Sequence, residues 1–216
     1  MTPTIEPVSL LLAVAGFILG IGADRLATRW PEHDEEHPPG RRVDWRTGAT
    51  AAMGALAFGL LPTRFAGDPL ALVLFGAWFV TMIVGLGTDL DQRLLPNLLT
   101  LPVIPIGLLY AASGQNPLVG AQLVPAVAAA ILIPAVLYLP SLPFGAGAFG
   151  LGDVFLLVGV GLMVGAERAL GGVIVGLVTA GVVLLVLLAM KRIGRRTYVP
   201  FGPFLIGGAL WAALIR

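Results

Sequence analysis

The chain contains no cysteine. That absence removes structural disulfides, thiolate nucleophiles, Cys-ligated zinc and iron–sulfur clusters. Histidine is scarce: His33 and His37 share one acidic polar stretch and are a thin basis for a metal site. No metal and no cofactor are therefore expected. Charge is also scarce. Only 12% of residues are Asp, Glu, Lys or Arg, about half the share of a soluble domain. The net charge of +1 says little by itself; no nucleic-acid partner is expected.

Apolar residues fill the chain instead. They make up 57% of it, and the mean hydropathy is +0.94. They come in long runs separated by short polar breaks, the pattern of an all-α polytopic membrane protein in contact with lipid. The alternation of a β-barrel is missing. Eight apolar runs read as membrane helices: Val8–Ala23, Gly48–Leu61, Leu70–Thr88, Leu98–Ala112, Leu118–Leu139, Val154–Val164, Gly172–Met190 and Phe201–Ile215. The first resembles a signal peptide, but MTPTIEP before it carries no Lys or Arg, so a retained helix is expected. Residues 1–216 read as one membrane-embedded domain, with Asp24–Trp45 as its long polar loop.

Charge asymmetry orients the chain. With the N-terminus outside, ten of the thirteen basic residues fall on inside loops: Arg25, Arg29, Arg41, Arg42, Arg46, Arg93, Lys191, Arg192, Arg195 and Arg196. The positive-inside rule then favours both termini out, with the loop 24–45 cytoplasmic. Asp89, Asp91 and Asp153 all fall on the cytoplasmic side in that frame. Gly16-x-x-x-Gly20 and Gly172-x-x-x-Gly176 permit close helix contact.

The chemistry concentrates in Phe144–Val160, FGAGAFGLGDVFLLVGV, where five glycines surround Asp153 ahead of the short sixth helix. A charged Asp at the centre of a span costs roughly 3 kcal/mol. Glycines allow irregular backbone and close approach of a second chain segment. Such backbone survives at membrane depth only inside protein or beside a wet cavity. Asp153 reads equally as an N-cap for the sixth helix. Asp89 and Asp91 close the third helix. They are about 200° apart on it, so at most one is expected to point into the bundle. Asp89 precedes Arg93 by four residues, the spacing of a helix ion pair, and Asp91 reads equally as a solvated interfacial charge. Two neighbouring carboxylates cannot both ionise readily. One can then take a proton from water while the other, protonated, polarises a peptide carbonyl. Buried acids and broken helices also suit a small proton-coupled transporter, although no internal repeat is recognisable.

Three ordered stretches carry a resemblance: DLDQRLLPNLLTLP (Asp89–Pro102), GLGD (Gly150–Asp153) and VPFGPFLIGGALW (Val199–Trp211). Weaker echoes lie in Gly16–Pro31 and Asp44–Phe58. Together they resemble the type IV prepilin leader peptidases, membrane aspartic proteases of the GxGD type. The resemblance implies an aspartic endopeptidase of the cell inner membrane that removes the leader of type IV prepilin or pseudopilin substrates. It implies Asp89, seven residues before Pro96, and Asp153 as the catalytic pair. Gly150, Gly152, Pro96 and Asn97 would shape the site. Two residues after the GxGD aspartate the family commonly has lysine, and this chain has Phe155. Bifunctional members carry paired CxxC motifs in a larger cytoplasmic loop and also methylate the new N-terminus. This chain has no cysteine and a loop of 22 residues, so methylation is not carried over. An inactive relative that only binds prepilins is the remaining alternative. Glu32, Asp34, Glu35 and Glu36 of the loop could attract a basic leader or form a solvated charge run.

Overall fold

Proline and paired capping acids set where the helices start. The computed structural model describes residues 7–35, 37–144, 149–194 and 199–215. Among these, all regular structure is helical: α1 Pro7–Ala27, α2 Trp45–Arg64, α3 Pro69–Gln92, α4 Asn97–Thr100, α5 Val103–Ala112, α6 Leu123–Tyr138, a 3-10 turn Leu139–Phe144, α7 Leu151–Val164, α8 Ala166–Ala189 and α9 Gly202–Leu214. Asp44 caps α2 by accepting from the Arg46 N–H at 2.8 Å. Thr47 reciprocates by accepting from the Asp44 N–H. Asp68 caps α3 by accepting from Ala71 N–H at 2.9 Å, with Pro69 in the first turn.

The protein is a polytopic membrane protein. Pro7–Ala27, Pro69–Gln92, Leu123–Pro143 and Ala166–Ala189 are long and apolar enough to cross a bilayer. Asn97–Ala112, Leu151–Val164 and Gly202–Leu214 are shorter apolar segments. The chain clusters into two units, Met1–Leu99 with Leu214–Arg216 and Thr100–Ala213.

In the first unit, α1 packs on α2 through backbone contact. A Cβ at Gly16 or Gly20 would collide with the Gly54 or Thr50 carbonyl. The sequence motif at 16–20 is thus used as the small-residue rule expects. Gly87 brings α3 against the Ala23 carbonyl in the same way, with 3.0 Å to an added Cβ. Phe65 stacks on Phe75 at 4.3 Å, and Phe79 and Trp78 extend this aromatic core.

In the second unit, α7 is largely enclosed, buried from Leu156 and Leu157 through Val164 except at Val158. Gly161 seats it against Ala130 of α6, where an added Cβ would lie 2.6 Å from a backbone nitrogen. Gly159 meets Val103 of α5. Asn116, fully buried, donates to the Met163 carbonyl at 2.9 Å and accepts from Leu118 N–H at 2.9 Å. It ties the α5–α6 turn to the end of α7. The second glycine pair closes α8 on α9: a Cβ on Gly172 would meet the Gly208 carbonyl at 2.6 Å, and one on Gly176 the Phe204 carbonyl at 2.7 Å. The PFGPFL stretch therefore begins α9 and packs on α8.

Several expected boundaries move. The fourth run, Leu98–Ala112, is two helices interrupted at Leu101–Pro102, because Pro102 lacks the N–H that would continue α4. The fifth begins at Leu123 rather than Leu118, since Asn116 and a left-handed Gly120 (φ 55°) hold the preceding residues in turns. The residues left between the sixth and seventh runs, 165–171, do not form a loop. Gly165 alone, at φ 79° and ψ 170°, separates α7 from α8. The polar loop shortens to residues 28–44, because α1 continues through Asp24 and Arg25. Of the glycine stretch expected to break the chain before α7, residues 145–148 lie outside the described residues, and Gly150 is the N-cap of α7.

Candidate active site

Asp89 and Asp91 belong to the last turn of α3, which runs through Gln92 before Arg93 closes it in the left-handed conformation (φ 56°). The Arg93 N–H returns to the Asp89 carbonyl at 2.9 Å. Pro96 is buried and its carbonyl accepts from the Leu99 N–H, so it seeds α4, whose first residue, Asn97, is exposed. Pro96 thus stands in the break between α3 and α4.

Both α3 acids are buried, Asp89 at 5% exposure and Asp91 at 6%. The sequence expectation that at most one turns inward is corrected, as is the reading of Asp91 as a solvated charge. The helical geometry is as expected, but the loop 28–44 covers the second face. Arg41 donates from Nε to Asp91 Oδ1 at 2.6 Å and from Nη2 to Asp24 Oδ1. Arg46 Nη1 lies 3.3 Å from Asp91 Oδ1, and His33 Nε2 lies 3.5 Å from Asp91 Oδ2. Asp24, with no exposed surface, also accepts from Thr47 Oγ1 at 2.6 Å and from Arg25 Nε at 3.0 Å. Gln92 Nε2 donates to the Ala27 carbonyl at 3.0 Å. Burial alone disfavours a charged Arg41, but its bonds to Asp91 and Asp24 outweigh this and hold its pKa above the ordinary value. Asp91 is thus committed to a buried ion cluster that joins α1, the loop and α3.

Sequence reasoning missed this cluster. Its members are separated by 17 residues (Asp24 to Arg41) and 50 residues (Arg41 to Asp91). The only sequence signal was an acid, Asp24, ending an apolar run. His33 and His37 serve Asp91 and Asp34, and no three His, Cys, Asp or Glu side chains among the described residues converge as metal ligands.

In the second unit, Asp153 is the third residue of α7 and only part-buried. It is not the N-cap; Gly150 is. The Asp153 carboxylate reaches back to accept from the Gly150 N–H at 3.2 Å. This is the acidic half of a capping box, and glycine has no side chain for the other half. So capping and availability coexist at Asp153: one oxygen satisfies an otherwise orphaned N–H, and the group still reaches the surface of its helix end. Gly150 and Gly152 flank it, both part-exposed.

Both acids lie within residues 74–190, which match the family model described as the type IV leader peptidase family. The chain belongs to the type IV leader peptidase family. It is similar to a "Prepilin leader peptidase/N-methyltransferase" of Burkholderia pseudomallei (strain 1026b), 32% identical over 157 residues that cover 73% of this chain and 50% of the relative. A protein of the same description from Stutzerimonas stutzeri is 31% identical over 67% of this chain and 48% of its own length. One from Aeromonas salmonicida (strain A449) is 29% identical over 59% and 43%. The chain thus spans about half the length of these curated relatives. No solved structure matches it significantly.

Proposed function

We propose that this member of the leader peptidase family is an aspartic endopeptidase of the inner membrane. It removes the leader of type IV prepilin or pseudopilin substrates at the cytoplasmic side, with Asp89 and Asp153 as its catalytic pair. The observation that carries the assignment is the family match over residues 74–190, which holds both motif acids. Asp91 is taken up by Arg41, Arg46 and His33, and Asp89 is the acid that stands seven residues before Pro96. The family match supports a prepilin substrate, since the relatives carry that description.

The chemistry needs no bound group. The ionised carboxylate takes a proton from water as the oxygen attacks the scissile carbonyl. The protonated carboxyl donates to the carbonyl oxygen, giving a neutral tetrahedral diol. Collapse returns a proton to the leaving amine, which becomes the new N-terminus, and the carboxylates return to their starting states. The relatives' description also names an N-methyltransferase. We do not extend that activity to this chain, which has no cysteine and joins α1 to α2 through residues 28–44.

The test is co-expression with a prepilin of the same genome, with leader removal followed on a gel. Asp89→Asn and Asp153→Asn each lower cleavage by about 10³-fold or more. Asp91→Asn keeps an acceptor for Arg41 and stays within about tenfold of wild type. Full processing by Asp153→Asn sinks the pair. Loss in Asp91→Asn with retention in Asp89→Asn reverses the choice between the two α3 acids. Intact-mass measurement of the processed pilin, with no added 14-Da-class methyl increment, checks the exclusion of methylation.

A further inference from the structure

We propose that Arg41 is a positioning residue for Asp89, acting by clamping the last turn of α3; this rests on the catalytic pair proposed above. The reason lies in the helix end itself. The C-terminal turn of a helix carries partial negative charge and unsatisfied carbonyls. Acids are unfavourable there, and the final turn of α3 holds two, Asp89 and Asp91. It contains no basic residue. Left to itself, such a turn frays.

A cation from outside the helix bonds one of these acids. Arg41 is held on the opposite side by Asp24 of α1 and by Asp44, 2.6 Å from its Nη1. Its Nε then bonds Asp91 at 2.6 Å. A guanidinium spans three carboxylates because its donors point in a fixed planar fork. The loop is fastened as well: the Arg41 carbonyl accepts from Arg25 Nη1 at 2.9 Å, and Gly40 N–H donates to the Thr28 carbonyl at 2.9 Å. Gln92, the last residue of α3, reaches across to the Ala27 carbonyl. Arg41 therefore joins a fixed loop to a helix end that would otherwise repel its own side chains. Asp89 is two residues from the bonded acid, on that same turn. If the turn opens, the Asp89 carbonyl loses the Arg93 N–H that it accepts at 2.9 Å, and the residue loses its fixed place on the helix end.

The experiment uses purified full-length protein with a prepilin in liposomes. Arg41→Gln lowers kcat by about 10²-fold through misplacement of Asp89, with KM within about threefold because no substrate contact is removed. Arg41→Lys, a point charge without the fork, recovers about tenfold of that loss. Hydrogen exchange rises across residues 86–93 in Arg41→Gln and stays unchanged across 151–164. Wild-type kcat in Arg41→Gln overturns the proposal. So does a loss of rate matched by an equal loss of folded protein, or a change confined to KM. Should Arg41→Gln fail to fold, Arg41→Lys carries the same kcat and exchange readouts. Should the wild type cleave no prepilin, the functional reading falls separately, and unchanged exchange across 86–93 in Arg41→Gln still overturns the clamp.

Discussion

Asp24 accepts hydrogen bonds from three side chains, those of Arg25, Arg41 and Thr47. Asp153, among the described residues, accepts from one backbone N–H, that of a glycine. Both acids sit at an end of an apolar helix. The first is surrounded by cations and shut off from solvent; the second is framed by glycines and left part-exposed. A carboxylate held by several donors is fixed in one charge state and one direction. A carboxylate held by one donor keeps lone pairs for a water or a peptide. The difference separates acids that hold the fold from acids suited to chemistry.

The sharpest way to break this comparison is to measure rate and stability on the same variants. Asp153→Asn abolishes cleavage yet changes stability by less than about 1 kcal/mol, because the amide oxygen still accepts from Gly150 N–H. Asp24→Ala does the reverse in kind. It strands Arg41 and Arg25 near a buried gap and costs about 3 kcal/mol or more of folding stability. Thermal unfolding in detergent, run beside the cleavage assay, reads both. If Asp24→Ala unfolds no earlier than wild type, the division between the two acids fails.

Glycines sharpen the same contrast one level down. Gly161→Val forces a side chain into the Ala130 backbone of α6 and destabilises by about 1–3 kcal/mol. Gly181, in the middle of α8 with nothing within 4 Å of an added Cβ, tolerates alanine and gains up to about 1 kcal/mol. Asn116→Ala removes two buried hydrogen bonds and leaves the Met163 carbonyl and Leu118 N–H without them, a loss of about 1–3 kcal/mol. The smallest effect is at Gly150→Ala. Its φ of −77° is ordinary and an added Cβ would lie 3.4 Å from Asp153 Oδ2. Cleavage then stays within about threefold of wild type. A much larger loss there assigns the Gly150 side of the GLGD motif a closer part in the chemistry.

The helix inventory was legible because apolar runs, prolines and capping acids act locally. Asp44, Asp68 and Pro69 start their helices from within four residues. The ends were less legible. What supports the final turn of α3 was not visible locally, since Arg41 and Ala27 reach it from far up the chain. Local spacing likewise suggested one buried acid of the α3 pair, and a loop from elsewhere buried both. The start of α8 at Ala166 was hidden because a single glycine makes the corner, where composition suggested a longer polar turn. At the candidate site, Asp89 and Asp153 were marked by motif, whereas the cations bonded to Asp91 were invisible in sequence.

The one-residue corner at Gly165 has a consequence for the lipid. It sets the end of α7 and the start of α8 at one level. α8, with 24 residues, is about 36 Å long and can cross the hydrocarbon. α7, with 14, is about 21 Å and stops roughly 9 Å short. The Asp153 end of α7 therefore lies about 9 Å inside the hydrocarbon boundary when α8 spans it, and shorter acyl chains bring that boundary closer. With the proposed peptidase activity as the readout, turnover in vesicles should climb as acyl chains shorten.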